Sequence, residues 1–380
     1  MIRIAIAGDF CPLHRLEKPI KNRDYDQVFG DVKSFLSNFD LSIVNLEAPV
    51  APTKCHPIKK DGPCLKCSEH AVEALHFAGF DVVTLANNHL NDYGSSGVMN
   101  TLKTCERYGI GYVGAGGNLQ EASSVKYLEI KDKIIALINC CEHEFSIATT
   151  DQPGANHIHP IRIFNQINEA KSKSDYVIII THGGHEHYQL PSPRMKELFR
   201  FFVDAGADAV INHHQHCISG YEIYKNKPIA YGIGNFCFDR VNTYDSKWND
   251  GVIAGLELDE ERVTLSLKPF IQCNQRIGVV FDKGAEDRIM KQILELKEII
   301  KHEELLNEHY ESFVQKHNRS HSLIFEPYFC RIASALYRRG FLPKILSKCR
   351  TKSTMCYGFV MCESHLDIVK YNLTQNISNK

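Results

Sequence analysis

Short apolar runs rich in β-branched residues alternate with helical periodicity over the first 240 residues of the chain. Runs of this length and composition are typical of strands buried on both faces of a sheet. The predicted strands span residues 2–7, 41–44, 82–85, 134–138, 176–180 and 209–211. Because helical segments separate most of these strands, the pattern predicts an α/β domain.

Three of the intervening segments carry helix signals. The first, residues 69–79, ends at Gly79, a residue suited to the left-handed C-terminal position. The second begins near Ser96, a candidate N-cap, and stops at Gly109. The third follows Pro191 and ends at Gly206, and Leu198, Phe201 and Phe202 are predicted to face the core.

The pattern changes towards the C-terminus. Residues 252–258 and 263–267, separated by four charged residues, predict an antiparallel hairpin. From residue 282 the apolar positions recur at helical spacing, with charged residues between them. The repeating positions are Ile289, Ile293, Leu296 and Ile300. We therefore expect a core domain over residues 1–280 and a helical appendage over residues 281–380.

Composition and charge narrow the class of protein. The chain has 380 residues, 43% of them hydrophobic, which is enough for a large core. The formal net charge of -1 argues against a disordered chain and against nucleic-acid binding by the whole protein. No run approaches the roughly 18–20 apolar residues of a membrane-spanning helix. The 14 cysteines and the absence of a signal-peptide pattern favour reduced thiols and predict a cytoplasmic protein.

Polar side chains follow five of the predicted strands, where the site of an α/β protein usually lies. These groups are Gly8-Asp9, residues 45–47, residues 86–89, residues 181–187 and residues 212–216. Carboxylate oxygens and neutral imidazoles without an obligatory thiolate suit manganese, iron or zinc. We therefore expect one or two divalent metal ions, which could hold a phosphate and activate water, and a nearby histidine as proton donor.

Three of these groups also have a purely structural interpretation. Asp9 could cap a turn, and Asn87-Asn88 could form one, because Asn and Asp favour turns. One of the three clustered histidines could pack in the core. Alternation along an extended segment would place His214 and His216 on one face, which assigns His213 to the wall of the site.

The order of these motifs resembles the CapA-type poly-gamma-glutamate capsule synthesis proteins over about residues 1–240. The residues that carry the resemblance are Gly8-Asp9, Asn45-Leu46-Glu47, Ala86-Asn87-Asn88-His89, Asp92-Tyr93-Gly94, His182-x-Gly-x-Glu186, His214-x-His216 and Gly234-Asn235-Phe236. CapA-type domains are similar in turn to calcineurin-like metallophosphoesterases. That resemblance implies a β-sandwich flanked by helices, here with a C-terminal helical appendage.

The resemblance also implies roles for individual residues. The implied metal ligands are Asp9, Glu47, Asn88, His182, His214 and His216. His89 would protonate the leaving group, and Glu186 would orient a histidine or bind substrate. The chain departs from the phosphoesterase pattern at two positions. It has Asp9-Phe10-Cys11 where Asp-x-His is usual, and its bridging acid Glu47 replaces the usual Asp.

The implied function is the biosynthesis of a capsule, poly-gamma-glutamate or another surface polymer, by a metal-dependent hydrolase. One alternative is a phosphoesterase that acts on a phosphorylated small molecule or a polymer linkage. Another is a non-catalytic factor that binds or assembles polymer on the same fold. The implied partners are an anionic polymer or phosphorylated substrate and a polymer synthase complex.

Two further motifs have competing interpretations. Cys64 and Cys67, with Cys55, His56 and His70 nearby, could form a zinc site, but only one ligand pair is clear, which favours a loop with incidental thiols.

Residues 331–352 carry seven basic residues and no acidic one: Arg331, Arg338, Arg339, Lys344, Lys348, Arg350 and Lys352. This segment predicts either a peripheral membrane or polymer contact or a solvated face.

Overall fold

The computed structural model describes residues 1–60, 62–322 and 350–378. The strands are β1 (Ile2–Cys11), β2 (Leu41–Leu46), β3 (Val82–Thr84), β4 (Gly111–Val113), β5 (Ala115–Gly116), β6 (Lys126–Ile130), β7 (Lys133–Cys141), β8 (Gly154–Ala155), β9 (Tyr176–His182), β10 (Ala209–His213), β11 (Tyr221–Tyr224), β12 (Lys227–Ala230), β13 (Asn235–Phe238), β14 (Asp250–Leu258), β15 (Val263–Gln272) and β16 (Val279–Val280). The helices are α1 (Glu17–Lys21), α2 (Tyr25–Phe29), α3 (Val32–Leu36), α4 (His70–Ala78), α5 (Gly94–Tyr108), α6 (Leu119–Ala122), α7 (Pro160–Lys173), α8 (Pro193–Ala205), α9 (Lys283–Lys301), α10 (Glu303–Ser322), α11 (Arg350–Met361) and α12 (Glu363–Ser378). All six predicted strands are present.

Two large sheets contain most of these strands. The first sheet has the order β16-β15-β14-β1-β2-β3-β4, and β13 also pairs with β1. The second has the order β11-β12-β10-β9-β7-β6. In both sheets the central strands are parallel, while the predicted β14–β15 hairpin extends the first sheet in antiparallel pairing. The carboxyl ends of β1, β2, β9 and β10 therefore carry the motifs described above.

The two sheets pack face to face as a β-sandwich. Alternation along β1 sends Ile4 and Ile6 into the interior, where they join Ile178 and Ile211 of the second sheet. The opposite face of β1 packs against the helices of the first half of the chain. The outer face of the second sheet is covered by α7, α8 and part of α9. This arrangement confirms the predicted sandwich flanked by helices.

The helices agree with the sequence patterns except at the start of α5 and at one side chain of α8. Gly79 and Gly109 end α4 and α5 in the left-handed conformation, with φ of 94° and 69°. The prediction of Ser96 as an N-cap was wrong, because α5 begins at Gly94 and the Ser96 hydroxyl donates to the Tyr93 carbonyl. Phe201 was wrongly predicted to face the core, since it is 37% exposed.

The C-terminal region is helical where the structure describes it. The predicted apolar stripe of α9 is buried. Ile289 and Ile293 join the core between the two sheets, and Leu296 and Ile300 join the core on the outer face of the second sheet. The division of the chain at residue 280 stays a prediction. Residues 331–349 of the basic segment lie outside the described residues. None of the described helices has the length and apolar character needed to cross a membrane.

Candidate functional site

Asp9 lies inside β1 at a bulge, although the sequence suggested a position after the strand. It is aligned with Asn45 of β2 and Asn235 of β13, and the register shifts on both sides of this point. A Cβ atom at Gly8 would lie 1.9 Å from the Gly234 carbonyl oxygen, so the close approach of the two backbones requires glycine. The bulge directs the Asp9 carboxylate to the end of the sheet, as bulges beside functional sites commonly do.

Two groups of candidate ligands share the carboxylate of Glu47. The first contains Glu47, His182 and His214, and the second contains Asp9, Glu47 and His216. Within each group the potential ligand atoms lie within 4.8 Å of one another. Glu47 Oε1 lies 3.6 Å from His182 Nε2 and 3.7 Å from His216 Nε2. These groups contain five of the six side chains named as metal ligands from the sequence, and the sixth, Asn88, lies beside them with its Oδ1 3.1 Å from His182 Nε2.

Glu47 provides a direct test of whether a cation fits. Both carboxylate oxygens are buried, and neither has a hydrogen-bond partner among the residues that the structure describes. Burial raises the pKa of Glu47 well above its usual value, and the neighbouring Asp9 carboxylate raises it further. A buried carboxylate without donors is costly, whereas carboxylate and imidazole together suit a divalent cation. The donor set around Glu47 therefore fits one or two such ions.

Asp9 is the most extensively hydrogen-bonded acid of the site. Its Oδ1 accepts from the Asn45 side-chain amide at 2.8 Å, and Oδ2 is 3.3 Å from the His214 backbone nitrogen, which donates to it. Burial alone would raise the pKa of Asp9, but the adjacent imidazoles of His213 and His216 outweigh it and hold this pKa well below its usual value. The surroundings of Asp9 therefore favour its ionised form, and the Asn45 amide and the His214 N–H orient its carboxylate.

The three clustered histidines do not follow the alternation predicted from an extended segment. His213 is the last residue of β10, whereas His214 and His216 have φ of 89° and 52°. Left-handed backbone is unfavourable for these side chains and is typical of functional sites. It turns both His214 and His216 towards Glu47. His213 is fully buried and its Nδ1 lies 3.3 Å from Asp9 Oδ1, so it lies beside the site as predicted, although for a different reason.

Hydrogen bonds orient the remaining imidazoles. His182 Nε2 lies 3.1 Å from Asn88 Oδ1 and 3.1 Å from His214 Nδ1. Burial lowers the pKa of His182 well below its usual value, and the neighbouring His214 lowers it further, which favours a neutral imidazole. His216 Nδ1 lies 2.9 Å from Asn235 Oδ1. Burial would lower the pKa of His216, but the adjacent carboxylates, Glu47 first, raise it to about 10.

Asn87 has the structural role of a turn residue, whereas Asn88 lies at the candidate site. The side chain of Asn87 accepts from the His89 backbone N–H at 3.1 Å and donates to the Leu46 carbonyl at 2.9 Å, so it stabilises the turn. Asn88 is buried and its amide oxygen contacts His182. The turn and the site are therefore built by successive residues.

His89 is paired with residues to which the sequence assigned no role. Its Nδ1 lies 2.7 Å from Asp92 Oδ2, and Asp92 also forms an ion pair with the buried side chain of Lys60. Lys60 Nζ is 3.2 Å from His89 Nδ1. Burial lowers the pKa of His89, and the hydrogen bond to Asp92 opposes this shift. The spacing of three residues between His89 and Asp92 is the sequence signal that could have identified the pair; Lys60 offered none.

A cavity of about 550 Å³ opens onto this site. Asn88, His89, His214 and His216 line it, as does Glu186, which is solvent-exposed. Glu144 is a further lining residue that the sequence did not single out. Burial raises the pKa of Glu144 to about 8. The cavity also has cationic and aromatic walls, contributed by residues far apart in the sequence.

The cysteines lie outside both candidate ligand groups. Cys11 is fully buried in the apolar cluster beneath the first sheet, and burial raises its pKa well above the usual value, so its thiol is neutral. Cys64 and Cys67 direct their thiols to different backbone carbonyls, those of Ile58 and of Ala48 and Pro49. Among the described residues, neither group of close candidate ligands includes a cysteine.

In a comparison with known protein families, residues 3–240 match the family model described as bacterial capsule synthesis protein PGA_cap. The chain is 34% identical over 247 residues to the capsule biosynthesis protein CapA of Bacillus anthracis, covering 63% of this chain and 60% of that protein. It is 29% identical over 243 residues to the PGA biosynthesis protein CapA of Bacillus subtilis (strain 168). That alignment covers 63% of this chain and 64% of that protein.

The matched regions therefore span less than two thirds of these relatives. Among solved structures, the 5'-nucleotidase of Candida albicans SC5314 aligns with a TM-score of 0.40 and 11% identity, over 83% of this chain and 57% of that one.

Proposed function

Because the chain belongs to the bacterial capsule synthesis protein family PGA_cap, we propose that it acts in the biosynthesis of a capsule or related anionic surface polymer as a metal-dependent phosphoester hydrolase. The proposed substrate is a phosphorylated small molecule or a phosphoester linkage of the polymer. The fold and the donor set at the strand ends support hydrolysis, and the family supports the polymer context.

The observation that carries the proposal is the shared position of Glu47. Its hydrogen-bond-free carboxylate lies between an imidazole pair on one side and Asp9 with His216 on the other. Asp9, Glu47 and His216 would hold one ion, and Glu47, His182 and His214 the other, with Asn88 beside them. Two such ions, when bound, supply Lewis-acid polarisation of a phosphoryl group and lower the pKa of water.

The remaining residues have roles that follow from their contacts. In hydrolysis, the oxygen of water bonds to phosphorus, the ester P–O bond breaks, and the leaving oxygen takes up a proton. His89 lines the cavity, and its Nδ1 is held by Asp92, which leaves Nε2 to donate that proton. Asp92 and Lys60 position this imidazole. Lys60 and Arg240 also place positive charge beside the cavity for an anionic substrate.

Elemental analysis of the purified protein, followed by hydrolysis of 4-nitrophenyl phosphate with added manganese, tests the proposal. We expect bound metal and metal-dependent turnover in the wild type and in His76→Ala, because His76 is exposed on α4. His214→Ala should lose metal, and His89→Ala should retain metal and lose turnover. Full turnover in His214→Ala, or in the wild type after chelation, would contradict the proposal.

The alternative of a non-catalytic polymer-binding factor draws on one observation. The thiol of Cys11 is buried and neutral at the position where the metallophosphoesterase pattern has histidine. A protein of this kind would bind an anionic polymer and show no turnover with any added divalent metal. The same hydrolysis measurements, combined with sedimentation in the presence of poly-gamma-glutamate, separate the two functions.

A further inference from the structure

The C-terminal helices pack against the loops that carry the candidate site. Phe313 of α10 stacks on Tyr188 with ring centroids 4.2 Å apart, and its ring centroid lies 5.1 Å from that of His185. Tyr357 of α11 packs against Phe145 at 5.6 Å. Residues 183–188 follow β9 and residues 142–146 follow β7, so both loops leave the sheet beside the ligand groups.

A buried polar network holds α12 in place. Its Ser364 hydroxyl lies 2.8 and 2.7 Å from the two carboxylate oxygens of Glu142. Arg194 donates to Glu142 and to Asp367 of α12, both at 2.5 Å. Glu142 also accepts from the Gly184 backbone N–H at 3.1 Å. The network therefore connects α12 directly to the loop that follows His182.

These helices supply a wall of the cavity above the site. Phe313 of α10, Phe359 of α11 and Ile368 of α12 line the same cavity as His89, His214 and His216. Phe145 and Trp248 add aromatic surface to it. Its volume of about 550 Å³ is in the range of small-molecule sites, which are largely apolar with a few polar groups. One region of the cavity thus suits an anion and another suits an apolar group.

The helices lie beyond the part of the chain that matches the family. That match covers residues 3–240, whereas the three helices begin at Glu303, Arg350 and Glu363. The ligand groups belong to the matched part, and the aromatic residues of the helices do not. Any substrate selectivity that these helices confer therefore depends on residues outside the region that matches the family model.

We propose that Phe313 and Phe359 are specificity-determining residues that pack against the organic group of the substrate, which is a compact phosphoester carrying an aromatic or similarly flat apolar group. This inference rests on the proposed hydrolase function. The phosphoryl group would lie at the candidate ligand groups near Lys60, and the organic group would lie against the helices. An interior bond of a long, highly charged polymer would match neither the volume nor the apolar wall.

Binding of two non-hydrolysable phosphonates to the manganese-loaded full chain tests this assignment by calorimetry. We expect the wild type to bind phenylphosphonate more tightly than methylphosphonate. The double variant Phe313→Ala/Phe359→Ala should bind phenylphosphonate about tenfold more weakly and methylphosphonate within about twofold of the wild type. Leu305→Ala and Val360→Ala, exposed on α10 and α11, are the matched controls and should change neither affinity.

The outcomes separate this inference from the proposed function. Equal affinities for the two phosphonates in the wild type, or equal losses in the double variant at unchanged metal content, would overturn the assignment while leaving hydrolysis in place. Retained phenylphosphonate affinity in the double variant would overturn it as well. Failure of the wild type to bind either phosphonate or to hydrolyse 4-nitrophenyl phosphate would instead overturn the hydrolase proposal, and this inference with it.

Discussion

Glu47 Oε1 lies 3.6 Å from His182 Nε2, too far for a hydrogen bond and close enough for both atoms to bind one cation. Both oxygens of this buried carboxylate lack hydrogen-bond partners among the described residues. A carboxylate in this environment destabilises the metal-free protein, and a bound cation would offset that cost.

Replacing Glu47 with Gln should abolish stabilisation by manganese without lowering the stability of the metal-free protein. Burial raises the pKa of Glu47, so the metal-free wild type already disfavours its charged form. The wild type should gain about 2.7 kcal/mol at a manganese concentration 100 times Kd. Thermal unfolding with manganese or with chelator measures both effects. The exposed Glu295→Gln should behave as wild type; an equal manganese gain in Glu47→Gln would exclude its role as a ligand.

Asp92→Asn should reduce kcat about 10- to 100-fold with little change in KM or metal content. The Asp92 carboxylate holds His89 Nδ1 at 2.7 Å, and the amide cannot stabilise the same protonated ring. Steady-state kinetics and elemental analysis provide the measurement. Asp287→Asn, at an exposed position of α9, is the control. A change confined to KM would show that Asp92 does not position His89.

Arg194→Met should destabilise the protein by about 1–3 kcal/mol, because it leaves the buried Glu142 carboxylate without its cation. The same substitution at Lys173, whose ion pair with Glu169 is exposed, should cost less than about 1 kcal/mol. Denaturant unfolding of both variants gives the comparison. Equal costs at the two positions would mean that the link between α12 and the core contributes little.

Glu363→Gln should stabilise the protein more at neutral and alkaline pH than at acidic pH. Burial, with a contribution from Glu142, raises the pKa of Glu363 from 4.5 to about 7. The folded state therefore holds this proton more tightly than the unfolded state, and the wild type loses stability as the pH rises from 4.5 to about 7. Gln does not titrate and can still accept from the His143 N–H.

The measurement is the difference in Tm between Glu363→Gln and the wild type across this pH range. The difference should grow up to about pH 7 and stay constant above it, because both states of the wild type are then ionised at this position. Glu298→Gln, at an exposed carboxyl group, should give a difference near zero throughout. A difference that is independent of pH would contradict the assigned shift.

Strand periodicity and motif order predicted much of the candidate site, but some geometry had other causes. The prediction that His214 and His216 share a face came from strand alternation, whereas left-handed backbone at both residues produces the observed arrangement. Local pattern cannot reveal such a backbone, and the contacts that accompany it are with distant residues: the His214 N–H donates to Asp9, and Asn235 of β13 contacts His216. Lys60 was missed for a related reason, since its contact with Asp92 forms only when the loops fold, whereas the three-residue spacing of His89 and Asp92 was a local signal.

The sequence by itself determined an α/β domain with acids and imidazoles at the strand ends, because the burial of short apolar runs and the direction of strands follow from local chemistry. The sandwich followed only from the resemblance of its motifs to a known family. Only the tertiary structure decided that Glu47 is shared by two ligand groups and that Phe313 and Phe359 line the cavity. Glu47 and His182 are more than one hundred residues apart along the chain, as are Tyr188 and Phe313, and such contacts depend on how whole elements pack together. The short-range pattern of the sequence carries no record of that packing.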